Sequence, residues 1–249
     1  MGRSLYLDCI SGISGDMTLA ALMDLGADLS YIVDHLKQLP VDVFEIEVHS
    51  VVKKGIAAKK LKIDFQPNSP RPVLFRMQDH DHVHRRAADI LLMIEESELP
   101  PRVKQRSSAI FQAIAAAEGK IHGMDPQEVH FHEVGAMDSI IDTIGVCLAL
   151  EDLGIDQLYA SPVPTGSGKM RMAHGLYPIP APATAELLRG IPLAVLEVKG
   201  ELTTPTGAGI LKALVTEFKP IGGFTIQQIG YGAGEKDFDH PNVLRALLL

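Results

Sequence analysis

The sequence predicts an α/β fold: a mixed, partly parallel sheet flanked by helices, with one β-hairpin excursion. Three observations carry that expectation. Short apolar, strand-compatible runs alternate along the chain with segments of helical periodicity, the pattern of strand–helix–strand units. Glycine-rich turns stand between a run of the first kind and one of the second at residues 11–16, 164–169 and 200–209. Residues 44–52 alternate apolar Phe44, Ile46 and Val48 with polar Glu45, Glu47 and His49, and a Lys53-Lys54-Gly55 turn leads to a return strand at 58–65, which is a hairpin signature.

Composition bounds the function. A chain of 249 residues is one large domain or two small ones, and it buries a sizeable core. It reads as a single domain over 1–249, with 1–123 and 124–249 as candidate lobes. Hydrophobic residues at 46% and charged residues at 22% belong to an ordinary globular protein. The net charge of −8 argues against a nucleic-acid partner, which calls for a basic stripe. Small anionic ligands stay open, because backbone amides hold phosphate without net positive charge. Cys9 and Cys147 are too few and too far apart for a disulfide framework, so a reducing cytoplasm is the expected location. Residues 5–10 are too short for a secretory leader and include Asp8, and no apolar run reaches the length of a bilayer, so no membrane partner is expected.

In chain order, residues 4–10 read as a strand that ends at Asp8, on the edge of an open α/β sheet that usually faces ligand. Ser11-Gly12-Ile13-Ser14-Gly15-Asp16 follows, then a helix over 17–25. That order presents backbone N–H groups and a helix N-terminus to an anion; it is neither a Walker sequence nor a full dinucleotide fingerprint. A helix over 28–39 stops at Pro40, and the hairpin comes next. Its lysines 53, 54, 59, 60 and 62 read as a solvated face rather than a binding patch, with one or two in reach of a phosphate. Residues 66–86 hold three prolines and then Asp79-His80-Asp81-His82-Val83-His84, a metal-attracting loop composition. Helices follow over 87–96 and 103–118, the second ended by Gly119 to Gly123.

The richest stretch is His130-Phe131-His132-Glu133-Val134-Gly135-Ala136-Met137-Asp138-Ser139-Ile140-Ile141-Asp142. A strand over 128–134 points His130 and His132 the same way. A helix from about 138 to 153 stacks Asp138 and Asp142, four apart, on one side. Imidazoles and carboxylates at this density suit a divalent metal or acid–base chemistry. Beyond it, a strand over 158–163 leads to Thr165-Gly166-Ser167-Gly168, a helix over 183–189 ends at Gly190, and a strand spans 195–198. Thr203-Thr204-Pro205-Thr206-Gly207 then opens a helix over 210–218, and strands over 224–231 and 243–248 close the chain. Three glycine-rich turns with added hydroxyls argue for a ligand carrying phosphate or several oxygens.

These segments together resemble the LarC family. The resemblance rests on Leu5-Tyr6-Leu7-Asp8-Cys9, Ser11 to Met17, His130 to Ala136 with Asp138 to Asp142, Ser161 to Gly168, Pro180-Ala181-Pro182-Ala183-Thr184 and Gly200 to Gly207, and it covers essentially the whole chain. It implies nickel insertion (a cyclometallation) into pyridinium-3,5-bisthiocarboxylic acid mononucleotide, giving the nickel-pincer nucleotide of lactate racemase and related enzymes. The implied activity is a CTP-dependent nickel chelatase of the lyase class, using Ni2+ and CTP with Mg2+ or Mn2+. Family members are longer, with a C-terminal domain to which CTP binding is attributed, so the chain reads as the N-terminal portion. Its implied partners are a nucleotide-like substrate, that C-terminal domain or a separate chain carrying it, and lactate racemase or a related apo-enzyme; a homo-oligomer stays open. The candidate catalytic residues are Glu133, Asp138 and Asp16. Candidate ligand-binding residues are Ser11, Gly12, Ser14, Gly15, Thr165, Gly166, Ser167, Gly168, Thr204, Thr206 and Gly207. Candidate metal ligands are His130, His132, Asp142, Asp8, His80, His82 and His84. Two other classes fit the same residues: a metal-dependent hydrolase of a phosphorylated small molecule, and a non-catalytic nickel-binding chaperone.

Overall fold

The computed structural model describes residues 2–66, 85–131, 137–172 and 175–249. Among these, seven strands form one mixed sheet: β1 (Arg3–Asp8), β2 (Phe44–Lys53), β3 (Ile56–Phe65), β4 (Ile155–Ala160), β5 (Val215–Phe218), β6 (Gln228–Ala233) and β7 (Val243–Leu248). Their spatial order is β5-β4-β1-β7-β6-β3-β2. The pairs β1/β4, β4/β5 and β3/β6 are parallel; β1/β7, β6/β7 and β2/β3 are antiparallel. The expected mixed α/β class with a hairpin excursion is thus the observed one. β1 lies at the centre, and its Leu5, Tyr6 and Leu7 are fully buried. The sheet draws β1, β2 and β3 from before residue 124 and the other four strands from after it.

Seven described helices accompany the sheet: α1 (Gly15–Asp24), α2 (Leu29–Leu36), α3 (Ala87–Glu96), α4 (Pro101–His122), α5 (Met137–Asp152), α6 (Pro182–Leu187) and α7 (Pro205–Leu214). Helix α1 lies directly on the backbone of β6. A Cβ at Gly232 would stand 1.9 Å from the Met17 carbonyl oxygen, and one at Gly230 2.3 Å from that of Ala21. Only glycine permits this approach. Helix α5 packs against α1, α2, α4 and α7. Ile140, Ile141, Ile144, Val146, Cys147 and Leu148 are all inaccessible to solvent, so α5 is apolar nearly all round, as a buried helix must be. A carboxylate on such a helix starts from a low-dielectric surrounding, which matters for Asp142.

The hairpin pairs Phe44 with Phe65 through Lys53 with Ile56. Its turn places Lys54 at φ 48° and Gly55 at φ 86°, the two positive values of a tight hairpin turn. Several expected bounds need correction, among them the strand expected over 158–163, which is Ile155–Ala160. Helix α4 runs through Gly119 to His122 and is closed by Gly123 at φ 66°; Gly119 lies within the helix because the chain folds back on it, with the Met124 carbonyl oxygen 2.9 Å from where a Cβ would be. The helix expected over 210–218 is Pro205–Leu214, with Thr204 as its cap, and Val215–Phe218 becomes strand β5. Pairing with β4 and the strand preference of Val, Thr and Phe override the helical periodicity there. Residues 195–198 are not a strand: Leu193–Ala194 pairs with Val163–Pro164, Gly200–Glu201 pairs with Gly166–Ser167, and 195–198 link them. The strand expected over 224–231 begins at Gln228.

Candidate functional site

Three helices begin at one cleft. Ser14 caps α1, its Oγ accepting from the Met17 N–H at 3.4 Å. Thr204 caps α7, accepting from the Gly207 N–H at 3.2 Å. Helix α5 opens at Met137, and the Asp138 carboxylate accepts from the Ser139 N–H at 2.8 Å. The cleft encloses about 430 Å³, and its walls include Ser14, Gly15, Asp16, Asp138, Ser139, Asp142, Glu201, Thr204, Pro205, Thr206 and Glu235, with Leu61, Lys62 and Ile63 from β3. Each helix start carries about half a positive charge, which offsets part of the negative charge of Asp16, Asp138, Asp142, Glu201 and Glu235 along the same walls.

The sequence folds this way because the glycine-rich turns are stitched to one another. Ile13 donates its N–H to the Leu202 carbonyl at 3.1 Å, and Thr204 returns one to the Ile13 carbonyl at 3.1 Å. Leu202 in turn donates to the Thr165 carbonyl at 3.1 Å, and the Thr203 hydroxyl donates to that of Pro164 at 2.8 Å. Gly12, at φ 83°, leaves no room for a Cβ, which would meet the Leu202 carbonyl oxygen at 2.0 Å. Gly207 is equally tight, 2.1 Å from the Ile13 carbonyl oxygen. The three turns are therefore one wall rather than three separate grips.

That wall sorts the sequence candidates. Ser14, Gly15, Asp16, Asp138, Asp142, Thr204 and Thr206 meet in the cleft. Gly12 and Gly207 shape the wall. Around the second turn, the Thr165 hydroxyl donates to the Gly166 carbonyl at 3.2 Å and that of Ser167 to the Val198 carbonyl at 2.7 Å; Ser167 and Gly168 are exposed and line no part of the cleft. Ser11 is fully buried, bonded to His240 and Asn242. Asp8 is held by the Arg245 guanidinium, its Oδ2 3.0 Å from Nε. His130 is exposed in a two-residue strand, His130–Phe131, paired with Arg85–Arg86. His80, His82, His84, His132 and Glu133 lie outside the described residues, and so does the expected alignment of His130 with His132.

Sequence reasoning missed Lys62, Ser139, Glu201 and Glu235 as cleft residues. The signal for two of them was present: Lys62 sits in the lysine cluster, and Glu235 follows Gly234 at the start of the loop between β6 and β7. Lysines of the hairpin fasten that loop, with Lys60 to Glu235 at 2.9 Å and Lys53 to Asp237 at 2.6 Å.

Electrostatics single out two carboxyls. Burial, then the neighbouring Asp16 and Asp138, hold the Asp142 carboxyl well above the usual carboxylate range. Its Oδ1 is sealed from solvent and has no hydrogen-bond partner among the described residues. Asp16 is also raised, chiefly by burial, although the Ser14 hydroxyl donates to it and opposes the shift. The Asp16 charge is among the causes of the Asp142 shift, so the two carboxyls lie within electrostatic reach of each other. Among the described residues no three His, Cys, Asp or Glu side chains are arranged to hold a metal ion. The cleft thus offers a carboxyl pair, whose oxygens suit a divalent cation completed by other donors.

Comparison with known proteins follows the same line. Residues 5–249 match the family model described as nickel insertion protein. The chain is similar to proteins named pyridinium-3,5-bisthiocarboxylic acid mononucleotide nickel insertion protein: 57% identical over 247 residues in Staphylococcus saprophyticus, covering 99% of this chain and 60% of the relative. In Geobacillus kaustophilus the identity is 48% over 247 residues, covering 99% and 59%. In Desulfitobacterium hafniense it is 44% over 243 residues, covering 98% and 57%. The chain thus spans about three fifths of the length of these relatives. No solved structure matches it. Matched by the family model from residue 5 to its last residue, the chain belongs to the nickel insertion protein family.

Proposed function

We propose that this chain carries the metal- and substrate-handling part of nickel insertion into pyridinium-3,5-bisthiocarboxylic acid mononucleotide. The observation that carries the reading is the Asp16–Asp142 pair at the meeting point of three helix N-termini. The substrate named for the relatives is a mononucleotide, and its phosphate suits the positive ends of those helices together with Lys62 on the facing strand. Forming a nickel–carbon bond breaks a ring C–H bond, and the proton must go to a base. Asp16 is the candidate, since its raised proton affinity makes it a better acceptor than a solvated carboxylate. Asp142 beside it supplies a second oxygen for the incoming Ni2+, which the substrate sulfurs then take over as softer donors. Asp138 lies at the cleft mouth, where it suits a positioning role.

The finer parts of the reading belong to the same proposal. CTP with Mg2+ or Mn2+ and the C-terminal part present in longer relatives complete the reaction, and the product passes to lactate racemase or a related apo-enzyme. Residues 1–249 form one N-terminal-type domain. Two buried free cysteines fit a cytoplasmic location, and among the described residues no helix is long and apolar enough to cross a membrane. The test combines the chain with the C-terminal part of a relative, Ni2+, CTP and the dithio mononucleotide, and follows the nickel adduct by mass spectrometry. Wild type forms it, while Asp16→Asn and Asp142→Ala lose at least tenfold. Phosphate release without a nickel adduct would favour the phosphohydrolase class instead.

A further inference from the structure

Ser11 Oγ lies 2.6 Å from His240 Nε2, a spacing seen between a nucleophile and its base. The neighbouring Asn242 decides which of them donates. Its Nδ2 donates to the Lys236 carbonyl at 2.8 Å, so its Oδ1 is the atom turned to Ser11 and accepts the hydroxyl proton at 3.2 Å. A serine has one proton to give. With that proton committed to Asn242, Ser11 accepts from His240, and the imidazole carries its hydrogen on Nε2 and its lone pair on Nδ1. Ser11 is moreover fully buried, so the pair is not a nucleophilic dyad.

The ring is held as well as protonated in one way. His240 stacks on Phe238, with centroids 5.3 Å apart and planes 4° from parallel. Phe238 in turn covers Gly200, where a Cβ would stand 3.3 Å from its ring. His240 remains partly exposed, and among the described residues its only polar partner is Ser11, through Nε2. The same loop carries Glu235 into the cleft wall.

We infer that His240 is a metal ligand, presenting Nδ1 to a divalent transition-metal cation from a tautomer set by the Ser11–Asn242 chain. A metal-binding histidine usually donates its other ring N–H to a fixed acceptor, and Ser11 is that acceptor here. A neutral imidazole nitrogen suits Ni2+, Zn2+ or Cu2+ and disfavours Mg2+ and Ca2+. Since no three His, Cys, Asp or Glu side chains are arranged to hold a metal among the described residues, His240 supplies one donor, and water or substrate the others. That makes it a point of passage for metal beside the cleft rather than a store. The identity of the metal as nickel rests on the function proposed above; the ligand itself does not.

The test titrates Ni2+ into the 15N-labelled chain with His80, His82 and His84 changed to Gln, which removes the competing imidazoles of that tract. Long-range 1H–15N spectra of the metal-free chain show His240 as the Nε2–H form, and its ring signals broaden at lower Ni2+ than those of the other histidines. His240→Gln removes this first phase, and Ser11→Ala, which keeps the imidazole but frees its tautomer, weakens it about tenfold. An Nδ1–H signature, or a first phase unchanged in His240→Gln, overturns the inference. The binding readout is separate from nickel-adduct formation: loss of insertion with His240 still binding nickel sinks the proposed function alone.

Discussion

Gly15 and Asp142 touch across the α1–α5 interface: a Cβ placed on Gly15 would stand 2.9 Å from the Asp142 Cβ and 3.0 Å from Thr206 Cγ2. One residue without a side chain thus lets three helices start at the same cleft. Gly15→Ala forces Asp142 or Thr206 outward into the cleft. We expect a stability loss of about 1–3 kcal/mol, the usual range for overpacking, together with weaker binding of the nucleotide substrate. Urea midpoints and substrate titration check this, and wild-type values in both would show that the interface yields without loss.

Asp142 makes a second prediction because its burial opposes the fold. Its carboxyl titrates higher in the folded chain than in the unfolded one, so below the unfolded value, about 4, both states are protonated and there is no penalty. As pH rises above that value the unfolded chain ionises first and stability falls, until the folded carboxyl ionises as well. Asp142→Asn removes the titration and keeps the shape. The variant should match wild type near pH 4 and exceed it by about 1–3 kcal/mol at pH 7.5, while losing activity. Denaturation at the two pH values measures this. A variant less stable at pH 7.5, or equally shifted at both, contradicts it.

How much of this was legible from residue order depends on the range of the deciding interaction. The hairpin was legible because Lys53-Lys54-Gly55 fixes its turn locally, and α1 because Ser14-Gly15-Asp16 is a complete helix start. Strand β5 was not, since Val215–Phe218 owes its form to pairing with β4, a partner no local pattern names. In the site, Asp16, Asp138 and Asp142 were each visible as candidates. Their meeting with Thr204 and Thr206, and the addition of Glu201 and Glu235, depend on how distant turns hydrogen-bond to one another. The same limit explains the three glycine-rich turns, for hydroxyl-bearing residues look alike whether they face a ligand or, as Thr203 and Ser167 do, a carbonyl of the protein itself.

Gly232 carries a prediction about the scaffold alone. A methyl there would meet the backbone of α1 at Met17, with the carbonyl oxygen 1.9 Å away, and a backbone atom cannot swing aside as a side-chain tip can. Gly232→Ala should therefore destabilise by about 3 kcal/mol or more, at the upper end of overpacking effects. Gly26→Asn serves as the control: its surroundings are open and its φ of 99° is less hostile to Asn than to other side chains, so the change should stay near 1 kcal/mol. Thermal unfolding of the pair distinguishes them, and equal losses would mean that α1 does not rest on β6 as described.

Asp8 supplies the last prediction. Its place at the carboxyl end of β1 suggested a metal ligand, yet in the fold its carboxylate is occupied by Arg245, which crosses from the neighbouring strand β7 at the paired position. An oxygen engaged by a guanidinium is a poor donor to a cation, because the two positive charges compete for it. Asp8→Asn should leave nickel affinity within twofold of wild type. It should still reduce stability by about 1–3 kcal/mol, since it strands a half-buried guanidinium without its counter-charge. The double change of Asp8→Asn with Arg245→Met should recover part of that loss, as a pair that acts on the fold requires. A drop in nickel affinity of tenfold or more in Asp8→Asn, with stability unchanged, would return Asp8 to the metal site and break this assignment.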